Sequence, residues 1–157
     1  MGPITKLMGP LLDEEIENDA VIICFDDDVV YKKCTFLHLA SAVLNEPETV
    51  FTMCNLPLEG YKAFAGRKST LLPLATMHRP QSCYRVDDDF IQASLEVMRV
   101  KVKSLQNGIS PFCSLDILRT LKGPQFNDGL GLLWDRRRSQ DQQNCKNEVF
   151  SQLKVST

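Results

Sequence analysis

The 157-residue chain lacks any run of about 18 apolar residues, so the sequence contains no candidate membrane span. It also lacks a strong charge of either sign, because the formal net charge is -2. This composition offers no broad basic surface for nucleic acid or for an anionic membrane. Zinc-binding patterns are missing as well, since none of the six cysteines forms a Cys-x-x-Cys pair.

The first residues lack the apolar core of a secretory signal peptide. The scattered cysteines favour a reducing compartment, in which thiols stay unpaired. Cys24 lies inside an apolar run and is expected to be a buried thiol that packs as a small hydrophobe. Together these features predict a cytoplasmic protein.

What the chain does contain is the composition of an ordinary globular domain, with 43% hydrophobic and 24% charged residues. Its apolar patterns alternate between helical and strand spacing. They predict, in chain order, a helix over 3–17 that Gly9 and Pro10 interrupt, a strand over 21–25, a helix over 35–44 and a strand over 49–54. This alternation is typical of a βαβ unit. We therefore predict an α/β fold with a mixed, mainly parallel sheet flanked by helices.

The second half of the chain is less regular. Proline and glycine punctuate positions 56–80, which predicts loops and short strands that line a site. Apolar spacing predicts a helix over 88–101, and the alternation near its end predicts a short edge strand over 100–105. We expect residues 1–135 to form a single catalytic domain. For the polar residues 136–157 we expect a tail with a short docking helix.

The strongest functional signal is an apolar run that ends in three aspartates. The segment 21–25 reads Val-Ile-Ile-Cys-Phe and is followed directly by Asp26, Asp27 and Asp28. Three adjacent carboxylates repel one another, and a hard divalent cation bound through oxygen ligands would relieve that repulsion. Ligands of open α/β sheets bind just beyond the carboxyl ends of the strands, which is where these aspartates fall. An acidic turn that only ends the strand is the alternative.

A second acidic triplet, Asp87, Asp88 and Asp89, stands at the start of the helix predicted over 88–101. Acidic residues are favoured at a helix start by the helix dipole, so the triplet needs no further role when taken alone. Two carboxylate clusters in one fold can also divide the work of a reaction. One cluster holds a cation that neutralises a leaving phosphate, and the other supplies a general base for an incoming hydroxyl.

Four segments, taken in order, resemble glycosyltransferases of the GT-A fold, the nucleotide-sugar-dependent kind related to glycosyltransferase family 2. They are Gly2-Pro3-Ile4-Thr5-Lys6-Leu7, Ile22-Ile23-Cys24-Phe25-Asp26-Asp27-Asp28-Val29-Val30-Tyr31, Tyr61-Lys62-Ala63-Phe64-Ala65-Gly66 and Val86-Asp87-Asp88-Asp89-Phe90. The second resembles the family's strand with its D-x-D motif, the third its glycine-containing loop and the fourth its acidic pair at a helix start. The resemblance covers roughly residues 2–100 and implies a partial GT-A, Rossmann-like domain. The family's strand that grips the nucleotide base has no counterpart here, so we expect either a truncated form or a different grip on the base.

The resemblance implies a metal-dependent transfer of a sugar from a nucleotide-sugar donor to a glycan or other hydroxyl acceptor, with inversion. Asp26 and Asp28 would bind Mn²⁺ or Mg²⁺ and, through it, the diphosphate. Asp88, or else Asp87 or Asp89, would be the base that deprotonates the acceptor hydroxyl. The implied donor-binding residues are Asp27 near the ribose or sugar, Lys6 near the diphosphate, Gly66 where backbone approaches the sugar, and Arg67 or Lys68.

Two other interpretations remain open. The first is a phosphatase of the haloacid dehalogenase type, because an apolar strand followed by Asp26-Asp27-Asp28-Val29-Val30 fits its D-x-D-x-[T/V] motif. Asp26 would then be the nucleophile, Asp28 the acid and base, and the later aspartates would hold Mg²⁺. The second is a non-catalytic domain that keeps the carboxylates but lacks the nucleotide pocket.

Overall fold

The computed structural model describes residues 3–25, 33–53, 63–105 and 130–152. These residues form a four-stranded sheet with helices packed on both faces. The elements, in chain order, are α1 (Pro3–Leu12), β1 (Val21–Phe25), α2 (Lys33–Asn45), β2 (Thr49–Thr52), β3 (Ala63–Arg67), α3 (Lys68–Leu71), two 3₁₀ helices (Leu72–Ala75 and Gln81–Arg85), α4 (Asp87–Val97), β4 (Lys101–Ser104) and α5 (Leu130–Gln152). The α/β class predicted from the sequence is confirmed.

The strand order is β1-β3-β2-β4, and only β2 and β4 pair in parallel. Strand β3 is antiparallel to both of its neighbours, β1 and β2. The prediction of a mainly parallel sheet is therefore wrong for the described strands. The reason is that residues 63–66, predicted as part of a glycine-containing loop, return as a strand between β1 and β2. Since β1 and β2 are both antiparallel to β3, these two strands still point in the same direction.

Small residues allow β3 to occupy the middle of the sheet. Ala63, Ala65 and Gly66 are buried, and helices pack above and below them. At Gly66 a Cβ atom would lie 3.1 Å from Val50 Cγ2 and 3.2 Å from Leu71 Cγ. These distances are tighter than ordinary van der Waals contact, so the packing of Val50 and Leu71 accounts for a glycine at this position.

We expect Gly66→Ala to lower the free energy of unfolding by about 1–3 kcal/mol, because an extra methyl group overpacks a filled core. Gly9→Ala in α1 is the matched control, since a Cβ there meets nothing within 4 Å. Alanine favours a helix over glycine by about 1 kcal/mol, and the proline that follows position 9 opposes that gain. Urea unfolding of both variants should show the loss at position 66 alone. Equal changes at both positions would contradict the packing argument.

Two apolar layers cover the sheet. Helix α2 packs Leu39 and Val43 against the face that carries Phe51 and Ala65. Helices α1, α4 and α5 cover the other face together with the segment 71–86. The largest fully buried side chains include Phe64 of β3 and Phe90 of α4, both on this second face. Burial of this apolar area is the main driving force for the fold.

The ends of two helices differ from the sequence prediction. Helix α1 continues through Gly9 and Pro10 and ends at Leu12, because a proline in the last turn removes only one intrahelical hydrogen bond. Helix α4 ends at Val97, earlier than residue 101, because Arg99 adopts a left-handed backbone conformation with φ 57°. The Val100 N–H donates to the Leu95 carbonyl oxygen at 2.9 Å, and this bond closes a Schellman motif.

Helix α5 crosses the boundary predicted at residues 135 and 136, and Cys145 and Val149 in its second half are fully buried in the core. Cys145 also forms a disulfide with Cys83 in the second 3₁₀ helix. These two cysteines are therefore not the unpaired thiols expected from the sequence, because the fold brings together residues 62 positions apart. Cys24 is buried in the core as predicted.

Disulfides persist in oxidising compartments. The Cys83–Cys145 bond is typical of such compartments, and the cytoplasmic location stays a prediction. In the part of the chain that the structure describes, none of the helices is both long enough and apolar enough to cross a membrane.

Candidate functional site

The strand directions define two ends of the sheet. Strands β1, β2 and β4 all finish at the same end, at Phe25, Thr52 and Ser104, which we call the carboxyl end. The antiparallel strand β3 begins there, since Ala63 is paired with Phe25. The opposite end, where Arg67 is paired with Val21, is called the amino end. Ligands of open α/β sheets gather at the carboxyl ends of their strands.

The first acidic triplet follows β1 at the carboxyl end. Asp26, Asp27 and Asp28 lie outside the described residues. In the sequence, Asp26 directly follows Phe25, the last residue of β1. Strand β1 therefore ends at the carboxyl end of the sheet, and the predicted D-x-D motif begins at the next residue.

The second acidic triplet forms the first turn of α4. Only three residues separate the end of α4 from the start of β4, so the helix ends near the amino end of the sheet. At 1.5 Å per residue α4 is about 16 Å long, similar to a strand of five residues. Its apolar side packs with Ile22 and Cys24 of β1 in one core cluster, so the helix runs back across this face. The first turn of α4 therefore lies toward the carboxyl end.

Asp89 is taken up by contacts with α5. Its side chain is 4% exposed, and Oδ2 accepts a hydrogen bond from Gln142 Nε2 at 2.9 Å. Lys146 Nζ lies 3.2 Å from Oδ1, which makes an ion pair that is largely shielded from water. Both oxygens of the Asp89 carboxylate are thus engaged by side chains of α5. The contacts of Asp89 therefore fit a role in anchoring α5 better than the role of a base.

Asp88 differs from Asp89 in its surroundings. Its side chain is only partly buried, whereas that of Asp89 is buried and contacts Gln142 and Lys146. Asp87 is the first residue of α4, and its side chain lies outside the described part. Within the triplet, Asp88 is thus more exposed than Asp89, although its Oδ1 atom is buried. The surroundings of these two neighbouring aspartates differ in the structure, although the sequence alone gives no reason to distinguish them.

Three residues predicted to bind the donor lie toward the amino end of the sheet. Gly66 is paired with Ile22 and Arg67 with Val21, so both are toward the amino end. Arg67 is four residues from the Ala63–Phe25 pair, which corresponds to about 13 Å along an extended strand. Lys68 is 5% exposed, and its Nζ donates to the carbonyl oxygens of Asp13 at 2.5 Å and Ile16 at 2.7 Å. Arg67 and Lys68 therefore lie away from the carboxyl end, and Lys68 fixes the loop between α1 and β1. Their roles as donor ligands stay predictions.

Lys6 is placed differently. Lys68 holds residue 13, just after the end of α1, at the amino end. Helix α1 packs on β1 and α4, so Lys6, about two turns before the end of α1, lies toward the carboxyl end. Its side chain is exposed. The position is compatible with the predicted role near the diphosphate, which stays a prediction.

The described residues contain no group of three or more His, Cys, Asp or Glu side chains placed to hold a metal ion. The predicted metal ligands, Asp26 and Asp28, are outside those residues, so the Mn²⁺ or Mg²⁺ site stays a prediction. Away from the predicted site, the carboxyl group of Glu46, which lies between α2 and β2, has a shifted pKa. The hydrogen bond from Lys103 Nζ, at 2.5 Å, holds the pKa of the Glu46 carboxyl below its usual value.

A polar pocket that the sequence did not reveal lies beside the second 3₁₀ helix and α5. Its volume is about 680 Å³, and its described lining residues are His78, Arg79, Gln81, Ser82, Tyr84 and Asp141. Asp141 directly precedes Gln142, the residue that binds Asp89. The pocket is therefore next to the start of α4. The sequence offered little indication of this pocket, because Asp141 is 57 or more positions away from the other lining residues.

Comparison with protein-family models, with curated proteins and with solved structures found no significant match to this chain. The functional argument therefore depends on the residues and on their geometry.

Proposed function

We propose that this chain is a metal-dependent glycosyltransferase domain of the GT-A type that moves a sugar from a nucleotide-sugar donor to an acceptor hydroxyl with inversion. The observation that carries the proposal is the direction of two elements. Strand β1 ends, and helix α4 begins, toward the same end of the sheet. This arrangement supports a shared site for the two acidic triplets, which the resemblance to glycosyltransferase family 2 also implies.

The proposed division of work follows from the chemistry of each cluster. Carboxylate oxygens of Asp26 and Asp28 suit a hard cation such as Mn²⁺ or Mg²⁺, and the bound ion would neutralise the charge of the departing nucleoside diphosphate. Asp27 and Lys6 would contact the donor. Asp88 would accept the proton of the acceptor hydroxyl, because Asp89 is already bound by Gln142 and Lys146.

The proposal is tested by thermal unfolding with uridine or guanosine diphosphate, with Mn²⁺ or with a chelator. At about 100 times its Kd, the nucleotide should add about 2.7 kcal/mol of stability, and only when Mn²⁺ is present. Asp26→Ala and Asp28→Ala should each abolish this gain. Asp19→Ala is the matched control, because Asp19 is an exposed aspartate in the loop before β1, at the amino end. Its nucleotide response should equal that of the unchanged protein.

Other results would favour the remaining interpretations. Hydrolysis of an aryl phosphate that is lost in Asp26→Asn would support the phosphatase. If the protein shows neither metal-dependent nucleotide binding nor hydrolysis, the interpretation as a non-catalytic domain remains. A nucleotide response that is unchanged by a chelator would contradict the role of the D-x-D motif.

A further inference from the structure

The pocket beside α5 contains a fixed aromatic platform. Tyr84 lines this pocket and is 65% exposed. The guanidinium carbon of Arg79 lies 4.8 Å from the ring centroid of Tyr84, within the range of a cation–π contact. Arg79 Nη2 also donates to the Cys83 carbonyl oxygen at 2.9 Å, and Cys83 is bonded to Cys145 of α5. The ring is thus held in place while much of its surface meets solvent.

The polar groups of the pocket include both donors and acceptors. Ser82 Oγ is buried and has no hydrogen-bond partner among the described residues. Because this oxygen exposes almost no surface, a ligand in the pocket would meet the polar groups of Asp141 and Gln81 instead. Asp141 supplies a carboxylate acceptor, and Gln81 supplies an amide that both donates and accepts.

The charges of the lining limit the ligand. The lining carries charges of both signs, on Arg79 and Asp141, so it has no overall preference for a cation or an anion. A neutral ligand with several hydroxyl groups matches this mixture, because each hydroxyl can donate and accept. The volume of about 680 Å³ is within the range of small-molecule pockets, about 300–1,000 Å³.

We propose that this pocket binds a neutral saccharide, with the C–H face of one pyranose ring on Tyr84 and its hydroxyls on Asp141 and Gln81. The pocket borders the start of α4, since the neighbour of Asp141, Gln142, binds Asp89. Its use as the acceptor subsite, which makes the acceptor a glycan, depends on the proposed function. Binding of the saccharide itself does not.

The test uses the whole chain, without metal or nucleotide, and two-dimensional NMR. The probes are the methyl glycosides of glucose, galactose, mannose, N-acetylglucosamine and xylose. At least one should shift the amide signals of residues 81–84 and 141, with a Kd on the order of 1–10 mM. Tyr84→Ala should weaken this binding at least about tenfold, whereas Tyr84→Phe keeps the ring and should bind as before. Asp141→Asn should weaken it as well.

Several results would overturn the proposal: no shift from any of the five glycosides, equal binding by Tyr84→Ala, or a response of the same amides to inorganic phosphate alone. Folding of each variant is checked by its unfolding midpoint, which should be unchanged because Tyr84 is exposed. If no glycoside binds, the metal-dependent nucleotide response predicted under the proposed function is not affected. If glycosides bind but the nucleotide response is absent, the transferase proposal is rejected and the saccharide pocket is kept.

Discussion

Asp88→Asn should lower turnover by about 10²–10⁴-fold, the usual contribution of a general base, while leaving metal-dependent nucleotide binding intact. The substitution preserves shape and removes the proton acceptor. Its cost in stability should be small, about 0.3–1 kcal/mol, because one favourable charge at a helix start is lost. The measurement is release of nucleoside diphosphate from uridine- and guanosine-diphosphate sugars, with Mn²⁺ and the methyl glycoside that binds the protein.

Asp89→Asn is the matched control for this prediction. Asp89 is one position away, 4% exposed and bound by Gln142 and Lys146. Its replacement weakens a charged hydrogen bond, so the unfolding free energy should fall by about 1–3 kcal/mol. Turnover per folded molecule should change far less than in Asp88→Asn. The reverse pattern, with turnover lost in Asp89→Asn and kept in Asp88→Asn, would transfer the role of base to Asp89.

Replacing both Cys83 and Cys145 by alanine should lower the unfolding free energy by about 4 kcal/mol. The chain-entropy estimate for a closed loop of this size gives that value, since the two cysteines are 62 positions apart. Domains have a total stability of about 5–15 kcal/mol, so the loss is a large fraction of it. The expected result is a marked shift of the urea midpoint relative to the oxidised protein.

Cys24→Ala is the control for the cysteine variants. Cys24 is 8% exposed in β1 and is outside the Cys83–Cys145 bond, so its removal should cost only the packing of a small side chain, about 1 kcal/mol. Alkylation before and after reduction, followed by peptide mapping, identifies the bond directly. Full alkylation of Cys83 and Cys145 without reductant would contradict the disulfide and favour the cytoplasmic location.

Much of the local structure was predictable from the sequence. The pattern of residues 21–25 predicted β1 with its bounds, and alternation near Lys101 predicted the edge strand β4. Short strands were predicted among the loops of 56–80, but β3 was not located, because Ala63, Ala65 and Gly66 carry little of the β-branched signal that marks a strand. Their small size is favourable only between β1 and β2, where Val50 and Leu71 fill the space above Gly66.

In the candidate site, too, some features were predicted from the sequence and others became visible only in the structure. The sequence marked both acidic triplets, but it also placed Arg67 in the donor site. Only the antiparallel pairing of β3 shows that Arg67 is at the amino end of the sheet. The environment of Asp89 was equally hidden, since its partners Gln142 and Lys146 are more than fifty positions away.

By itself the sequence determined the α/β class, the strand that leads into Asp26 and the acidic first turn of α4. Those features depend on residues within a few positions of one another, and their spacing can be read from the sequence. The tertiary structure alone decided the antiparallel β3, the Cys83–Cys145 bond, the difference between Asp88 and Asp89, and the pocket around Tyr84. Each of these depends on contacts between residues far apart in sequence, and local periodicity carries no information about which distant partners will meet.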